Sequence, residues 1–375
     1  MDKIIIAKND SEMISLMLRD GEPFRLAGGP AGDEPSVGDI FRARVEKVNK
    51  SLKSVFVNLG EGCQGYMNAD EEDMLRPGDE INVQVTQEAF GKKVPTVSRE
   101  ISIPGEWLVL TSDPGFLAFS RRSVYDGPAR EEIHQMLSPW FSDCGFIIRT
   151  AAEQADLNMI EEEAAKLHQT FINLQKRLEH SAAPSCLFRG QSIYREWLQN
   201  ADKKETEVVT DNPDIYEEIK NYYRALGIPD GGVRYYQEDS PSLSNLYHFE
   251  KIKKEALEKT VWLKSGAYLV IERTEALTVI DVNSGKSEVS AGNTAEAINR
   301  EAAREVARQL VLRNLGGMIL VDFINMKKKE SEEELLNYLR SLTKEDSVYT
   351  QVVDITPLGL VEITRRRVRR PFQTG

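Results

Sequence analysis

The sequence predicts a multidomain chain of mixed α+β and α/β build, and three observations lead there. The passage from Ala276 to Met326 reads as strand, helix and strand, the pattern of a crossover between parallel strands. Upstream, residues 37–98 switch to short alternating runs broken by glycine and proline, the pattern of a small all-β barrel. A length of 375 residues with 41% hydrophobic content can bury more than one core, so two or more domains are expected.

Composition narrows the function classes. A net charge of −12 argues against a protein that coats nucleic acid by bulk attraction, so positive charge must be confined to local patches. Cys63, Cys144 and Cys186 show no CxxC or CxxH spacing, and neither a disulfide framework nor a zinc site is indicated. Met1–Ala7 is a short strand, too brief for a signal peptide, and no stretch reaches transmembrane length. The expectation is a soluble cytoplasmic protein with no membrane contact.

Residues 1–35 read as a strand, an amphipathic turn and a Gly-Pro-rich link at Gly28-Gly29-Pro30-Ala31-Gly32. Strands then follow at Ile40–Val48, Ser54–Leu59, Gln64–Met67, Ile81–Glu88 and Lys93–Ser98, punctuated by Gly38-Asp39, Gly60-Glu61-Gly62 and Pro77-Gly78-Asp79. Strands this short with such turns suggest a closed barrel of the OB type. Val37-Gly38-Asp39-Ile40, Ser54-Val55-Phe56-Val57 and Gly65-Tyr66-Met67 resemble an S1-type RNA-binding domain. That resemblance puts Phe56 and Tyr66 where a base is stacked; a lone Phe in a strand is otherwise a core residue.

The next stretch interrupts the barrel. Strands are expected at Trp107–Leu110, Phe116–Ser120 and Phe146–Thr150, with a helix near Ala129–Leu137. Arg121-Arg122 and Arg149-Thr150 stand out, because an arginine fork beside a hydroxyl and backbone amides is the chemistry for a terminal phosphate. Pairing of these arginines with acids such as Glu131 and Glu132 is the competing reading. Asp156–His180 is the longest helix, with Ile160, Ala164, Leu167, Phe171, Leu174 and Leu178 at heptad-like steps, a core or dimer face.

From Leu187 the pattern becomes α/β. Helices are expected at Ile193–Gln199, Asp214–Leu226 and Ser244–Thr260, and strands at Thr206–Thr210 and Val233–Tyr236. A long apolar strand over Tyr268–Val282 delivers Asp281 and Asn283. Asn293 or Thr294 starts a helix carrying Ile298, Ala302, Val306 and Leu310, and Leu315-Gly316-Gly317 ends it. Met318–Val321 is then a short buried strand that delivers Asp322.

If those two strands run parallel, their carboxyl ends share one edge of the sheet, where ligands of open α/β sheets bind. Asp281 and Asp322 would converge, with Asn283 on the same face as Asp281. Two carboxylates with a neutral amide make a hard-oxygen site for one Mg²⁺ or Mn²⁺. Ordinary strand-end acids solvating loop backbone are the alternative. Glu330–Leu342 is a further helix and Thr350–Thr356 a strand. Arg365, Arg366 and Arg367 open a basic run to Arg370, either a solvated tail or a set of phosphate contacts.

The wording Glu275–Ser284, Ala307–Leu310, Leu312–Gly317 and Asp322-Phe323-Ile324 resembles the catalytic core of the bacterial ribonuclease E/G family. The resemblance implies a divalent-metal endoribonuclease acting on A/U-rich single-stranded RNA, leaving 5′-phosphate and 3′-hydroxyl ends. Asp281 and Asp322 would be the metal-binding carboxylates and Asn283 their supporting amide. Arg149 and Thr150 would contact a 5′-monophosphate, in a pocket lined and supported by Gly105, Val109 and Arg121. An arginine that the family borrows for this pocket has Tyr349 at the loosely aligned position. Lys93 aligns with a family RNA contact, and Lys286 is a candidate phosphate contact.

In fold terms the resemblance implies an RNase H-like subdomain (1–35 and 187–262), an S1-type OB domain (36–104), a 5′-sensor region with the long helix (105–186) and a DNase I-like catalytic subdomain (263–375). The family's zinc link and small dimerisation domain have no counterpart before Gly375, so no zinc is expected in this chain and the homodimer is left open. A non-catalytic S1-type RNA-binding regulator, and more distantly a DNA nuclease, are the competing function classes.

Overall fold

The computed structural model describes residues 2–9, 12–30, 34–68, 75–120, 123–228, 232–238, 240–285, 295–326, 328–344 and 346–372. The chain divides into two compact units, one formed by 1–33 with 193–375 and the other by 34–192. Among the described residues no helix is long and apolar enough to cross a membrane.

The first unit holds two sheets. In one, of five strands, Val233–Tyr235, Thr206–Thr210, Asp2–Asn9, Glu12–Arg19 and Glu22–Pro30 lie side by side in that order. Residues 2–9 and 12–30 therefore form a three-stranded antiparallel meander, not a strand followed by a turn and a link. Period-two alternation is hidden there because both faces are covered. Ile4, Ile6 and Met17 pack on one side with Trp197, Ile219 and Tyr223. Ile5, Ile14 and Leu16 pack on the other with Leu243 and Phe249. Within the expected helix over Ser244–Thr260, His248 takes a left-handed conformation (φ 53°) and separates Leu243–Leu246 from Phe249–Leu257; Thr260–Trp262 is an edge strand.

The second sheet has six strands in the order Thr260–Trp262, Tyr268–Arg273, Leu277–Asn283, Gly317–Asp322, Leu360–Arg365 and Thr350–Ile355. The single strand expected over Tyr268–Val282 is an antiparallel hairpin, turned at Thr274, whose hydroxyl accepts from the Leu277 amide (3.1 Å). Ile280, Val282, Ile319, Val321, Val361 and Ile363 point to one face, where Ala295–Leu312 and Lys329–Thr343 cover them. Among the described residues the helices packed on this sheet lie on that side, and the alternate residues of each strand are exposed or half-exposed.

In the other unit, Ile40–Asn49, Ser54–Gly60, Cys63–Asn68, Thr96–Ser98 and Glu80–Gln87 pair in sequence around a ring, and the last pairs back to the first. This closed five-strand barrel fits the OB type expected. The chain then builds a four-stranded sheet from Ser102–Pro104, Leu108–Thr111, Gly145–Ile148 and Leu117–Phe119. The long helix Leu157–His180 packs against it through Ile160, Ala164, Phe171, Leu174 and Leu178, so the heptad-like seam serves the interior. Ser185–Phe188 returns to pair with the first barrel strand. Buried Asp39 fastens the return: its carboxylate accepts from the amides of Gly190 (2.7 Å) and Ser36 (3.0 Å) and from Arg189 (3.0 Å). A Cβ on Gly190 would collide with the Val37 carbonyl, so only glycine permits this approach.

Candidate metal and nucleic-acid sites

The acids at the strand ends meet. Leu277–Asn283 and Gly317–Asp322 are parallel, and their last shared register pair is Asp281 with Asp322. In-register neighbours project to the same face with backbones roughly 4.8 Å apart, which lets one cation bridge both carboxylates. Each acid is exposed between two buried neighbours, Ile280 and Val282 for Asp281, Val321 and Phe323 for Asp322. Asn283 Nδ2 donates to Asp281 Oδ2 (2.8 Å), which fixes one oxygen and leaves the other available. The Asp322 carboxylate has no hydrogen-bond or ion-pair partner among the described residues, its backbone being held in the sheet. Two like charges facing one another without a cation are unfavourable, and the oxygen-only donor set suits a hard divalent ion. No group of three or more His, Cys, Asp or Glu that could hold a metal occurs among the described residues.

A residue that sequence reasoning missed positions Asp322. Asn299, fully buried on the covering helix, donates from Nδ2 to the Ile324 carbonyl (2.7 Å) and accepts from the Ile324 amide at Oδ1 (3.0 Å). This two-bond clamp fixes the backbone just beyond Asp322. The only sequence signal was an amide inside the apolar stripe next to Ile298. At the other strand, Gly285 (φ 61°) brings its backbone so close to the Gly266 carbonyl that a Cβ would collide with it. Lys286, Asn293 and Thr294 lie outside the described residues.

The arginine run divides by strand alternation. Arg365 is 4% exposed, and its guanidinium pairs with Asp346 (2.7 Å) and donates to Asn314 Oδ1 (2.8 Å) and the Leu315 carbonyl (3.1 Å). Arg367 is half-buried and donates to the Gly316 carbonyl (3.1 Å), and Arg369 pairs with Glu196 (3.0 Å). Arg366 is exposed, and so is Tyr349, whose carbonyl accepts from the Arg366 amide (2.9 Å).

Beside the four-stranded sheet, Arg149 is tied to Gly105 and its chain neighbour Thr150 to Ser120. Arg149 Nη1 donates to the Gly105 carbonyl (2.6 Å), its amide donates to the Trp107 carbonyl (2.9 Å), and Thr150 Oγ1 donates to Ser120 Oγ (2.9 Å). Val109 pairs in register with Pro104 and Ile147; Arg121 lies outside the described residues. Glu163, unanticipated from the sequence, accepts from the amides of Glu106 (2.5 Å), Trp107 (2.7 Å) and Leu108 (3.1 Å). Burial pushes its carboxyl above the ordinary range against the pull of those donors.

On the barrel, Phe56 and Tyr66 are register partners whose ring centroids lie 5.6 Å apart, edge to face. Val55 and Val57 are core residues, so Phe56 lies on the outer face, half-buried beside Tyr66 rather than inside. Tyr66 Oη donates to Asn68 Oδ1 (2.6 Å). Lys93 is exposed and bridges to Phe90 through the backbone.

Comparison with known proteins returns a consistent result. The family model described as "Ribonuclease E/G family" matches residues 102–368. The chain is 32% identical over 356 residues to a ribonuclease E of Synechocystis sp., covering 88% of this chain and 52% of that relative. It is 30% identical over 365 residues to a ribonuclease G of Salmonella typhimurium, covering 90% of this chain and 74% of the relative. It is 29% identical over 402 residues to a ribonuclease E of Escherichia coli K12, covering 98% of this chain and 37% of the relative. The chain thus spans about half, or less, of the ribonuclease E relatives' length.

Proposed function

The chain belongs to the ribonuclease E/G family, and from that premise we propose that it is a divalent-metal-dependent endoribonuclease acting on single-stranded, A/U-rich RNA in RNA processing and decay. The observation that carries this reading is the register pairing of Asp281 with Asp322 on the open face of the six-stranded sheet. These two carboxylates would hold one Mg²⁺ or Mn²⁺. Such an ion supplies Lewis-acid polarisation of the scissile phosphate and a more acidic bound water, consistent with products bearing 5′-phosphate and 3′-hydroxyl ends.

The chain's own groups do the rest. Asn283 holds one Asp281 oxygen in place, and Asn299 holds the backbone after Asp322, so both acids are fixed before substrate arrives. Phe56 and Tyr66 offer a stacking surface and Lys93 a charge for the strand on the barrel. Arg149 and Thr150 supply the donors for a 5′-monophosphate, giving a preference for such ends; Arg366 and Lys286 are further phosphate contacts. The doubly covered five-stranded sheet supports an RNase H-like assignment, and the six-stranded sheet with its helices a DNase I-like one. A homodimer and a cytoplasmic location accord with the family.

The test is cleavage of a 5′-labelled A/U-rich oligoribonucleotide with Mg²⁺ or EDTA, by the wild type and by a chain carrying Asp281→Asn with Asp322→Asn. Metal-dependent cleavage lost in the double variant is expected. Unchanged binding with no cleavage by any sample would leave an RNA-binding regulator, and cleavage of the matching deoxyoligonucleotide would make it a DNA nuclease.

A further inference from the structure

The face that carries the acid pair also carries two aromatic rings that the proposed chemistry does not use. Trp262 is 68% exposed, unusual for the side chain with most to gain from burial, and it sits on the sheet's edge strand. It is the register partner of Tyr268, which in turn is the register partner of Asn283. Register partners share a face, so Trp262, Tyr268 and Asn283 form one row across three strands. Asp281 lies in the next row on the same side, which places the rings roughly 8–12 Å from Asp281 and roughly 12–16 Å from Asp322, one strand further, by strand geometry. The ring centroids are 5.0 Å apart with planes inclined at 49°, so the rings support each other and leave a face to solvent.

We propose that Trp262, braced by Tyr268, is a nucleobase-stacking subsite of the catalytic unit, holding an unpaired base of the RNA strand beside the scissile phosphate. The inference rests on the endoribonuclease reading and deepens it. Stacking is the attraction this surface can offer, because a chain of net charge −12 with acids on this very face cannot hold a polyanion by field alone. It also selects for single strands, since a paired base has no free face to present. Continuity with the acid pair across one row of residues favours RNA as the occupant over a second protein.

The test combines Trp262→Ala, Trp262→Phe and Tyr268→Leu with A/U-rich oligoribonucleotides in which each nucleotide in turn is replaced by an abasic one. Affinity is read by anisotropy of the full chain in EDTA, and KM and kcat in Mg²⁺. Trp262→Ala should weaken binding about five- to a hundredfold and raise KM with a smaller effect on kcat, while Trp262→Phe recovers most of the loss. One abasic position near the cut should weaken wild-type binding and cost nothing further in Trp262→Ala. An abasic penalty of equal size in both proteins at every position would overturn the proposal, even with Mg²⁺-dependent cleavage intact. So would a Trp262→Ala chain that binds normally but sediments as a smaller species, which would assign the rings to a contact between copies. Absence of cleavage with the abasic coupling preserved would instead sink the endoribonuclease reading and keep the stacking site.

Discussion

Glu163 fills the space that Gly105 leaves empty: a Cβ at Gly105 would stand 2.6 to 2.8 Å from the Glu163 carboxylate carbon and both its oxygens. The carboxylate cannot retreat without releasing the amides of Glu106, Trp107 and Leu108. Gly105→Ala should therefore destabilise the 34–192 unit by about 1–3 kcal/mol, the range for overpacking a filled site. It should also blunt any rate preference for 5′-monophosphorylated RNA, because the Gly105 carbonyl anchors Arg149. Chemical denaturation and paired cleavage assays check both; an Ala variant with unchanged stability and preference would refute this account of the loop.

The facing acids predict a metal-linked stability. In metal-free buffer, Asp281→Asn should raise the melting temperature by relieving like-charge opposition across the strands. Adding Mg²⁺ should raise the wild-type value, by about 2.7 kcal/mol of stabilisation at a hundredfold excess over the dissociation constant. The double Asn variant should not respond. Calorimetry with and without Mg²⁺ decides it.

Asn299 predicts a loss that reaches the chemistry from within the core. Asn299→Ala leaves the Ile324 amide and carbonyl without their partner in a partly buried setting, at a cost of about 1–3 kcal/mol. It should lower kcat more than it raises KM, since the clamp sets Asp322 and touches no RNA. Single-turnover cleavage beside a binding isotherm separates the two; equal changes in both would argue for general unfolding.

Arg365 and Arg366 should behave oppositely. Arg365→Ala abandons a buried partner, Asp346, and should cost about 3–5 kcal/mol of stability. Arg366→Ala should change stability by less than about 0.5 kcal/mol. If Arg366 touches phosphate, the salt slope of RNA binding should fall by about one. Denaturation curves and salt-dependent titrations read these out.

Lys3, Glu207 and Arg234 form an ion ladder across three strands, with Lys3 to Glu207 at 2.8 Å and Arg234 to Glu207 at 3.2 Å. Burial alone would raise the Glu207 carboxyl, but the two cations overcome it and hold it below the usual range. A depressed carboxyl stabilises the fold above its unfolded value, near 4.3, and that contribution fades as pH falls through the lower folded value. The melting-temperature gap between wild type and Glu207→Gln should be small but open at pH 6 and should close in acid. A gap that widened in acid would reverse the assignment.

The acid pair was legible because each Asp closes an apolar run and the helix between them forces a parallel crossover. The barrel was legible because its strands alternate and its turns carry glycine. The first thirty residues were not, since a sheet covered on both faces erases alternation. Arg365 was hidden by its neighbours: a run of arginines looks uniform, although Val361, Ile363 and Arg365 fall on the inward side of one strand. Glu163 gave no warning, and Asn299 only the oddity of an amide within an apolar stripe, because each acts on backbone amides or carbonyls far away in sequence, which no local pattern encodes.

The buckle made by Asp39 at the two ends of the 34–192 unit has a consequence for the molecule's modularity. A segment whose first and last strands are hydrogen-bonded neighbours needs nothing outside itself to bring its termini together. Excised and expressed alone, it should fold and retain its barrel, and a short glycine-serine tether could replace it in the parent chain. Asp39→Ala should unfasten the excised piece at that seam first, as early amide exchange at Gly190 would show.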